Sequence, residues 1–356
     1  MILKRLALVV LGIVGMFVVM EGVFRMISPI PGPCPLGDRS PYLYMPDKRH
    51  DHVWSASKQT NEIRIAVIGD SFTVGSGVQV DDRYANRLES MLNMKDGVPD
   101  VDVDVFAKCG TSTFQQVALL DEALKWEPQI VILGICLNDM EDWSKADELE
   151  RWRKPLIPQV PPAWIARPLH CSRALTWLYG RIEEMIAHRN ELRYYRRLYN
   201  PAYSGVTRFR DALSMMNNKC RKAHIAFVPV IFPLLSEPFQ KGRYPFEYAH
   251  ESIHRLCDEL NIQCLDLLSH FRVASPDRLQ VIPGFDPHPN EIAHRMIAES
   301  VLLYLISNHF LPPSYSPALS PGGVLLERIW HETIRRMEDP LCCGTSTQNH
   351  VARKKL

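Results

Sequence analysis

The sequence carries almost no net charge, since 41 Lys and Arg residues against 40 Asp and Glu leave +1 over 356 residues. Nucleic-acid binding generally needs a basic surface that displaces counterions, so this balance argues against a nucleic-acid partner. Cysteine is also sparse, with 9 residues scattered through the chain. A fold built on disulfides is therefore excluded, and because the number is odd, at least one thiol is free or pairs between chains.

Long apolar runs are missing except at the N-terminus, which excludes a protein that crosses the membrane many times. The exception lies between Arg5 and Arg25. As a helix it reaches about 28 Å, close to the thickness of the hydrocarbon layer. We expect residues 1–27 to be an uncleaved signal anchor, with a cleaved signal peptide as the alternative. The basic flank at Lys4 and Arg5 would remain in the cytoplasm, which places the rest of the chain on the extracytoplasmic side.

The rest of the chain divides by pattern. Residues 28–60 are rich in proline and are typical of a linker. Over residues 61–310 short apolar runs alternate with amphipathic segments, which predicts parallel strands joined by helices in a three-layer α/β/α domain. The five predicted strands are 63–68, 101–106, 129–133, 224–232 and 264–267. Residues 140–205 break the rhythm and predict a helical insert, which either overhangs the carboxyl ends of the strands as a cap or packs against the core or the membrane surface. Residues 311–356 predict a proline-rich linker, an amphipathic helix and a disordered tail.

Residues that suit acyl transfer follow the predicted strands, where parallel sheets bind their ligands. Ser71 follows the first strand within Gly-Asp-Ser, Gly110 follows the second, and Asn138 the third. Asp286 and His288 precede the last helix. A Ser hydroxyl attacks a carbonyl, a His accepts its proton and an Asp orients that His. The backbone N–H groups of Ser71 and Gly110, with the Asn138 amide, are candidates for the oxyanion hole.

In their order and position these four blocks resemble the SGNH, or GDSL-type, hydrolase superfamily over about residues 62–308. The stretches 69–78 and 84–88 are similar to membrane-anchored bacterial members of it. The resemblance implies a flavodoxin-like sheet and a serine esterase that needs no cofactor and no metal. It assigns the nucleophile to Ser71 and the base to His288.

The last block departs from the family pattern in one respect. The usual block has its Asp three residues before the His, and Phe285 holds that position here. Asp286, two residues before His288, is the candidate orienting acid, and a backbone carbonyl is the alternative. The expected substrate is an ester on a small molecule, a glycan or a lipid. The same chemistry serves an O-acyltransferase when a hydroxyl replaces water as the acceptor.

Other interpretations stay open from the sequence alone. His250 and His254 have the His-Glu-x-x-His spacing of zinc peptidases, with Glu291 as a possible third ligand, although an exposed histidine pair is the simpler interpretation. Ser71 also fits the cap of the helix that follows the first strand. A further alternative is a catalytically inactive domain that binds glycans. His294, one turn into the last predicted helix, fits a structural role.

Overall fold

The computed structural model describes residues 2–27, 58, 62–93, 99–156, 163–240, 242–283, 286–313 and 315. The chain divides into two compact units, one from residues 1–39 and 143–197 and the other from residues 40–142 and 198–356. The predicted linker, apart from Lys58, and the predicted C-terminal helix and tail lie outside the described residues.

The secondary structure follows the predicted alternation, with additional elements. The strands are β1 (Ile63–Gly69), β2 (Val101–Ala107), β3 (Ile130–Ile135), β4 (Ala226–Ile231), β5 (Leu265–Asp266), β6 (Gln280–Ile282) and β7 (Asp286–Pro289). The helices are α1 (Ile2–Ile27), α2 (Ser71–Val74), α3 (Tyr84–Leu92), α4 (Thr113–Ala123), α5 (Ala146–Arg153), α6 (Ala163–Cys171), α7 (Arg173–Leu198), α8 (Ser204–Lys222), α9 (Glu247–Glu259), α10 (Leu268–Phe271) and α11 (Glu291–Ser307).

The larger unit is built on a parallel sheet of five strands in the order β2-β1-β3-β4-β5. This is the flavodoxin-like order, so the predicted α/β class and five-stranded sheet are confirmed. Every residue of β1 and β3 is buried. Strands covered on both faces have nearly continuous apolar sequences, which is why these two segments are recognisable as strands. The order places β1 between β2 and β3, so that the ends of these three strands are neighbours.

Helices flank this sheet and supply the rest of the core. Helix α3 packs against α11 and β2, while α4 packs against α8 and β1. The inward side chains of α3 include Leu88, which is fully buried, and those of α11 include Met296 and Ile297. Burying each such side chain contributes about 1.5–3 kcal/mol, so these helices hold the sheet and its strand ends in place.

The strands β6 and β7 form an antiparallel ribbon that the sequence did not predict. Gln280 pairs with Pro289 and Ile282 with Asp286, with an irregular register between the pairs. Asn290, the next residue, caps α11 through its side-chain oxygen, which accepts hydrogen bonds from the Ile292 and Ala293 N–H groups. The ribbon therefore leads directly into the last helix.

The smaller unit contains α1, α5, α6 and almost all of α7. Glu21 on α1 accepts hydrogen bonds from the Ser172 hydroxyl at 2.7 Å and from the Ala174 N–H at 3.0 Å. These bonds, with one from Arg25, lower the pKa of Glu21 to about 2. The predicted N-terminal helix is thus present. Among the described helices, however, none combines the length and the apolar character needed to cross a membrane, so the predicted transmembrane span over residues 1–27 has no support in the structure.

Candidate active site

Ser71 stands at the carboxyl end of β1, as the sequence predicted, and it is the first residue of the short helix α2. The cap of this helix is the preceding residue, since the Asp70 side chain accepts a hydrogen bond from the Phe72 N–H at 3.0 Å. The alternative role of Ser71 as a helix cap is therefore wrong, and its hydroxyl is available for another partner. Glycine is needed at position 69, directly before Asp70 and Ser71, because a Cβ there would overlap the Thr73 side chain.

The hydroxyl of Ser71 bonds to His288, far away in sequence. Ser71 Oγ lies 3.0 Å from His288 Nε2, and His288 Nδ1 lies 2.6 Å from Asp286 Oδ1. The His288 backbone N–H also donates to Asp286 Oδ1 at 3.1 Å. The structure thus brings together the three residues proposed from sequence in one hydrogen-bonded chain, within the reach that a nucleophile and its general base require.

The side chains in this hydrogen-bonded chain from Ser71 to Asp286 are only partly exposed to solvent. The side chains of His288 and Asp286 are 30% and 17% exposed. Burial alone raises the pKa of Asp286, but the hydrogen bond and the charge of His288 outweigh it, and the net shift is downward. Asp286 therefore remains a carboxylate at neutral pH. The Phe72 ring lies 5.5 Å from the imidazole of His288 and limits its movement on one side.

Gly110 and Asn138 follow the two strands that flank β1. Gly110 comes after β2, is exposed and has a φ of 70°, a left-handed conformation that glycine adopts without strain. Asn138 comes after β3 in the 3₁₀ turn Leu137–Met140 and is partly exposed. Because carboxyl ends of neighbouring parallel strands lie at one edge of the sheet, both residues share that edge with Ser71.

Two buried carboxyl groups below this edge were missed by the sequence analysis. The Cys136 thiol donates to Asp70 Oδ1 at 3.1 Å, and the Thr113 hydroxyl donates to Asp139 Oδ2 at 3.0 Å. Burial raises the pKa of Asp70, and it raises the pKa of Asp139 well above its usual range. The only sequence signal was that both residues directly adjoin predicted site residues.

The other histidines do not join the Ser71 chain. His294 is fully buried, accepts a hydrogen bond from the Tyr84 N–H at 3.2 Å and stacks on the Tyr84 ring, which agrees with the expected structural role. His250 and His254 both bond to the carboxylate of Asp266, each at 2.9 Å. In the described part of the chain no cluster of His, Cys, Asp and Glu is arranged to hold a metal ion. The interpretation as an exposed pair is wrong for His250, which is 2% exposed.

Comparison with known proteins agrees with this geometry. The model of the GDSL-like lipase/acylhydrolase family matches residues 67–296, a segment that contains Ser71, Gly110, Asn138 and the Asp286–His288 pair. The chain belongs to this family. Membership in the GDSL-like lipase/acylhydrolase family makes it a hydrolase that acts on ester bonds.

Solved structures with similarity to the chain include TesA, with 16% identity over 70% of this chain and 99% of that one, at a TM-score of 0.43. The acetyl xylan esterase AlAXEase has 15% identity over 68% and 100% of the two chains, at a TM-score of 0.43. Axe2, an acetylxylan esterase from Geobacillus stearothermophilus, has 14% identity over 68% and 93%, at a TM-score of 0.42. No curated protein matches the sequence.

Proposed function

We propose that the protein hydrolyses esters through a covalent acyl-enzyme on Ser71. The observation that carries this proposal is the chain from Ser71 Oγ through His288 to Asp286, at 3.0 and 2.6 Å. A serine hydroxyl is a weak nucleophile unless a base takes its proton as it attacks. His288 Nε2 is in position for that transfer, and the Asp286 carboxylate fixes the proton on Nδ1, so that Nε2 is the accepting atom.

The reaction proceeds in two halves. Ser71 Oγ attacks the ester carbonyl while its proton moves to His288 Nε2, and the carbonyl oxygen becomes an oxyanion. As the tetrahedral intermediate collapses, the C–O bond to the alcohol breaks and His288 returns its proton to the departing alcohol. Water then attacks the acyl-enzyme with the same base, which releases the acid and regenerates Ser71.

Charge that develops on the carbonyl oxygen needs donors that are already in position. The backbone N–H groups of Ser71 and Gly110 and the side-chain amide of Asn138 fill this role in the proposal, since all three residues share the edge of the sheet above β1. The loss of one such donor typically lowers kcat by ~10²–10³. The Asn138 contribution is the one that a substitution can remove cleanly, because the other two come from the backbone.

The substrate proposed is an ester on a small molecule, a glycan or a lipid. Partial exposure of Ser71 and His288 allows a bulky alcohol group to approach the site from solvent. Acetylated sugars belong in the first panel of substrates, because they combine a small acyl group with a glycan alcohol. The extracytoplasmic location expected from the basic N-terminal flank stays a prediction.

The deciding experiment combines a fluorophosphonate probe with an ester panel. The wild-type protein and the matched control Ser76→Ala should both be labelled covalently, whereas Ser71→Ala should not. Ser76 suits the control because it lies just after α2, five residues from Ser71, and its side chain is buried. Release of free acid from the panel supports hydrolysis. Accumulation of an acylated acceptor in place of the acid would instead assign the site to an acyltransferase, and labelling of Ser71→Ala would refute the proposed nucleophile.

A further inference from the structure

A second group of reactive side chains lies where α9 meets β5, and the proposed esterase mechanism does not use it. We call it the thiol cluster, and it consists of His250, His254, Cys257, Cys264 and Asp266. The Cys264 Sγ lies 3.4 Å from His254 Nδ1, and His254 Nε2 lies 2.9 Å from Asp266 Oδ2. A cysteine, a histidine and a carboxylate thus form a hydrogen-bonded chain of the kind that activates a thiol.

Helical spacing explains how α9 builds its side of the cluster. His250, His254 and Cys257 occupy positions i, i+4 and i+7, which share one face of a helix. That face meets the start of β5, where Cys264 and Asp266 lie two residues apart. The two histidines of the motif that resembles a zinc-peptidase signature are therefore hydrogen-bonded to a carboxylate, since each Asp266 oxygen bonds to one of them.

The two thiols contact each other and differ in character. Cys257 hydrogen-bonds to Cys264, which raises the pKa of Cys257 and, with the His254 contact, lowers the pKa of Cys264 to about 6 against the opposing effect of burial. The hydrogen bond to Asp266 is the main cause that raises the pKa of His254 to about 10. These contacts favour the thiolate form of Cys264 beside a protonated His254, and they favour retention of the proton on Cys257.

We propose that Cys264 is a redox modification site, which a hydroperoxide oxidises and which Cys257 then resolves to a disulfide. The geometry supports this order of events. Cys264 is partly exposed and the His254 side chain beside it is 39% exposed, whereas Cys257 is fully buried. A small oxidant from solvent therefore meets the Cys264 sulfur first, whereas Cys257, the hydrogen-bond partner of Cys264, is shielded from the oxidant by its burial.

The chemistry balances in two steps. The Cys264 thiolate attacks the terminal oxygen of the hydroperoxide, an S–O bond forms, the O–O bond breaks, and the alcohol or water leaves with a proton. The Cys264 sulfur is now a sulfenic acid, oxidised by two electrons. The Cys257 thiol then loses its proton and attacks that sulfur, so that an S–S bond forms and water departs. Overall, two thiols and one hydroperoxide give a disulfide, an alcohol or water, and a further water.

The first test is the pH dependence of Cys264 alkylation by iodoacetamide in the full-length protein. Lowering the pH from 7 to 6 should slow a thiol that titrates near 6 only about twofold, whereas a thiol near 8.5 slows about tenfold. The groups that face the two thiols, and so contribute to this profile, are His250, His254, Asp258, Asp266 and Tyr304. His254→Gln removes the cation but keeps the Cys257 hydrogen bond, so the dependence should become steeper than twofold and move toward tenfold. A tenfold dependence in the wild-type protein would overturn the proposal.

The second test detects the disulfide. Trypsin releases both thiols in one peptide, residues 256–272, because no Lys or Arg lies between Arg255 and Arg272. After treatment with hydrogen peroxide this peptide should lose two hydrogen atoms and its reactivity with iodoacetamide. In Cys257→Ser the sulfenic acid on Cys264 should persist and be trapped by dimedone. Dimedone adducts of equal yield in the wild-type protein, or a peptide that peroxide leaves unchanged, would overturn the proposal.

Discussion

The Asp286→Asn substitution tests the member of the site whose spacing departs from the family pattern. Asp286 Oδ1 accepts from His288 Nδ1 at 2.6 Å, and the carboxylate faces an imidazole that becomes positively charged as Ser71 attacks. An asparagine has nearly the same shape but no charge, and its amide group can donate where the carboxylate only accepts. The substitution therefore removes the charge on Asp286 and the preference for the proton on Nδ1, while it leaves the packing of β7 in place.

The expected loss follows from two overlapping interactions. Two unit charges 4 Å apart interact by about 4 kcal/mol at an effective dielectric constant of 20. A hydrogen bond to a charged group contributes about 1.5–3 kcal/mol. Because these descriptions overlap, and because Asp286 is 17% exposed, we expect the transition state to lose about 3–5 kcal/mol. At 1.36 kcal/mol for each factor of ten, kcat should fall by ~10²–10⁴ with a smaller effect on KM.

The assay is steady-state hydrolysis of a chromogenic ester, with Asp277→Asn as the matched control. Asp277 lies in the exposed 3₁₀ turn Pro276–Arg278, so its substitution changes the net charge equally without touching the site. The double variant with His288→Ala should be little slower than His288→Ala alone, since the pair acts as a unit. A kcat for Asp286→Asn within tenfold of the wild type would refute the reasoning and leave a Ser–His dyad.

Three further measurements test the nucleophile, the independence of the reaction from metal ions and the titration of the buried His294. Ser71→Ala should abolish hydrolysis but shift the thermal midpoint by no more than a few degrees, as measured by calorimetry, because another residue caps α2. Treatment with a chelator should leave the hydrolysis rate unchanged, because the proposed nucleophile, base and acid are side chains; a loss restored by zinc would contradict this. Burial, with the charges of Arg87 and Arg83, lowers the pKa of His294 from 6.5 to about 3, so the unfolded chain binds the extra proton in that range. The free energy of unfolding should therefore fall as the pH drops from 6.5 toward 3, and His294→Gln should flatten this part of a thermal-unfolding profile.

The sheet was predictable because its central strands β1 and β3 are buried throughout and their sequences are predominantly apolar. The predicted fourth strand, 224–232, begins too early for a local reason. His224 has a φ of 57°, and the Ile225 N–H donates to the Cys220 carbonyl, so these residues end α8 instead of opening β4. The amphipathic pattern after the second strand predicts a helix over 115–126, but α4 begins at Thr113, since the Ser112 capping box fixes its start. Both differences arise from hydrogen bonds at helix ends, which apolar periodicity does not record.

The site was predictable in its residues but not in its supporting contacts. Ser71, Gly110 and Asn138 each follow a strand, so chain order and the topology of parallel sheets bring them to one edge. The bond from Cys136 to Asp70 joins the residues that directly follow β3 and β1, which are 66 positions apart, and nothing in either local sequence specifies it. The burial of His250 is equally non-local, because it depends on Asp266 arriving from β5.

The unusual spacing of the last block has a physical explanation in β7. The family's usual Asp lies three residues before the His, whereas here the separation is two. In an extended strand, residues i and i+2 project from the same face, while i and i+3 project from opposite faces. Asp286 and His288 both lie in β7, so the shorter spacing is the one that sets their side chains next to each other. Ile282 on β6 pairs with Asp286 on β7, and this pairing fixes the register of β7. The two-residue spacing is therefore the one that suits a strand at this point of the chain.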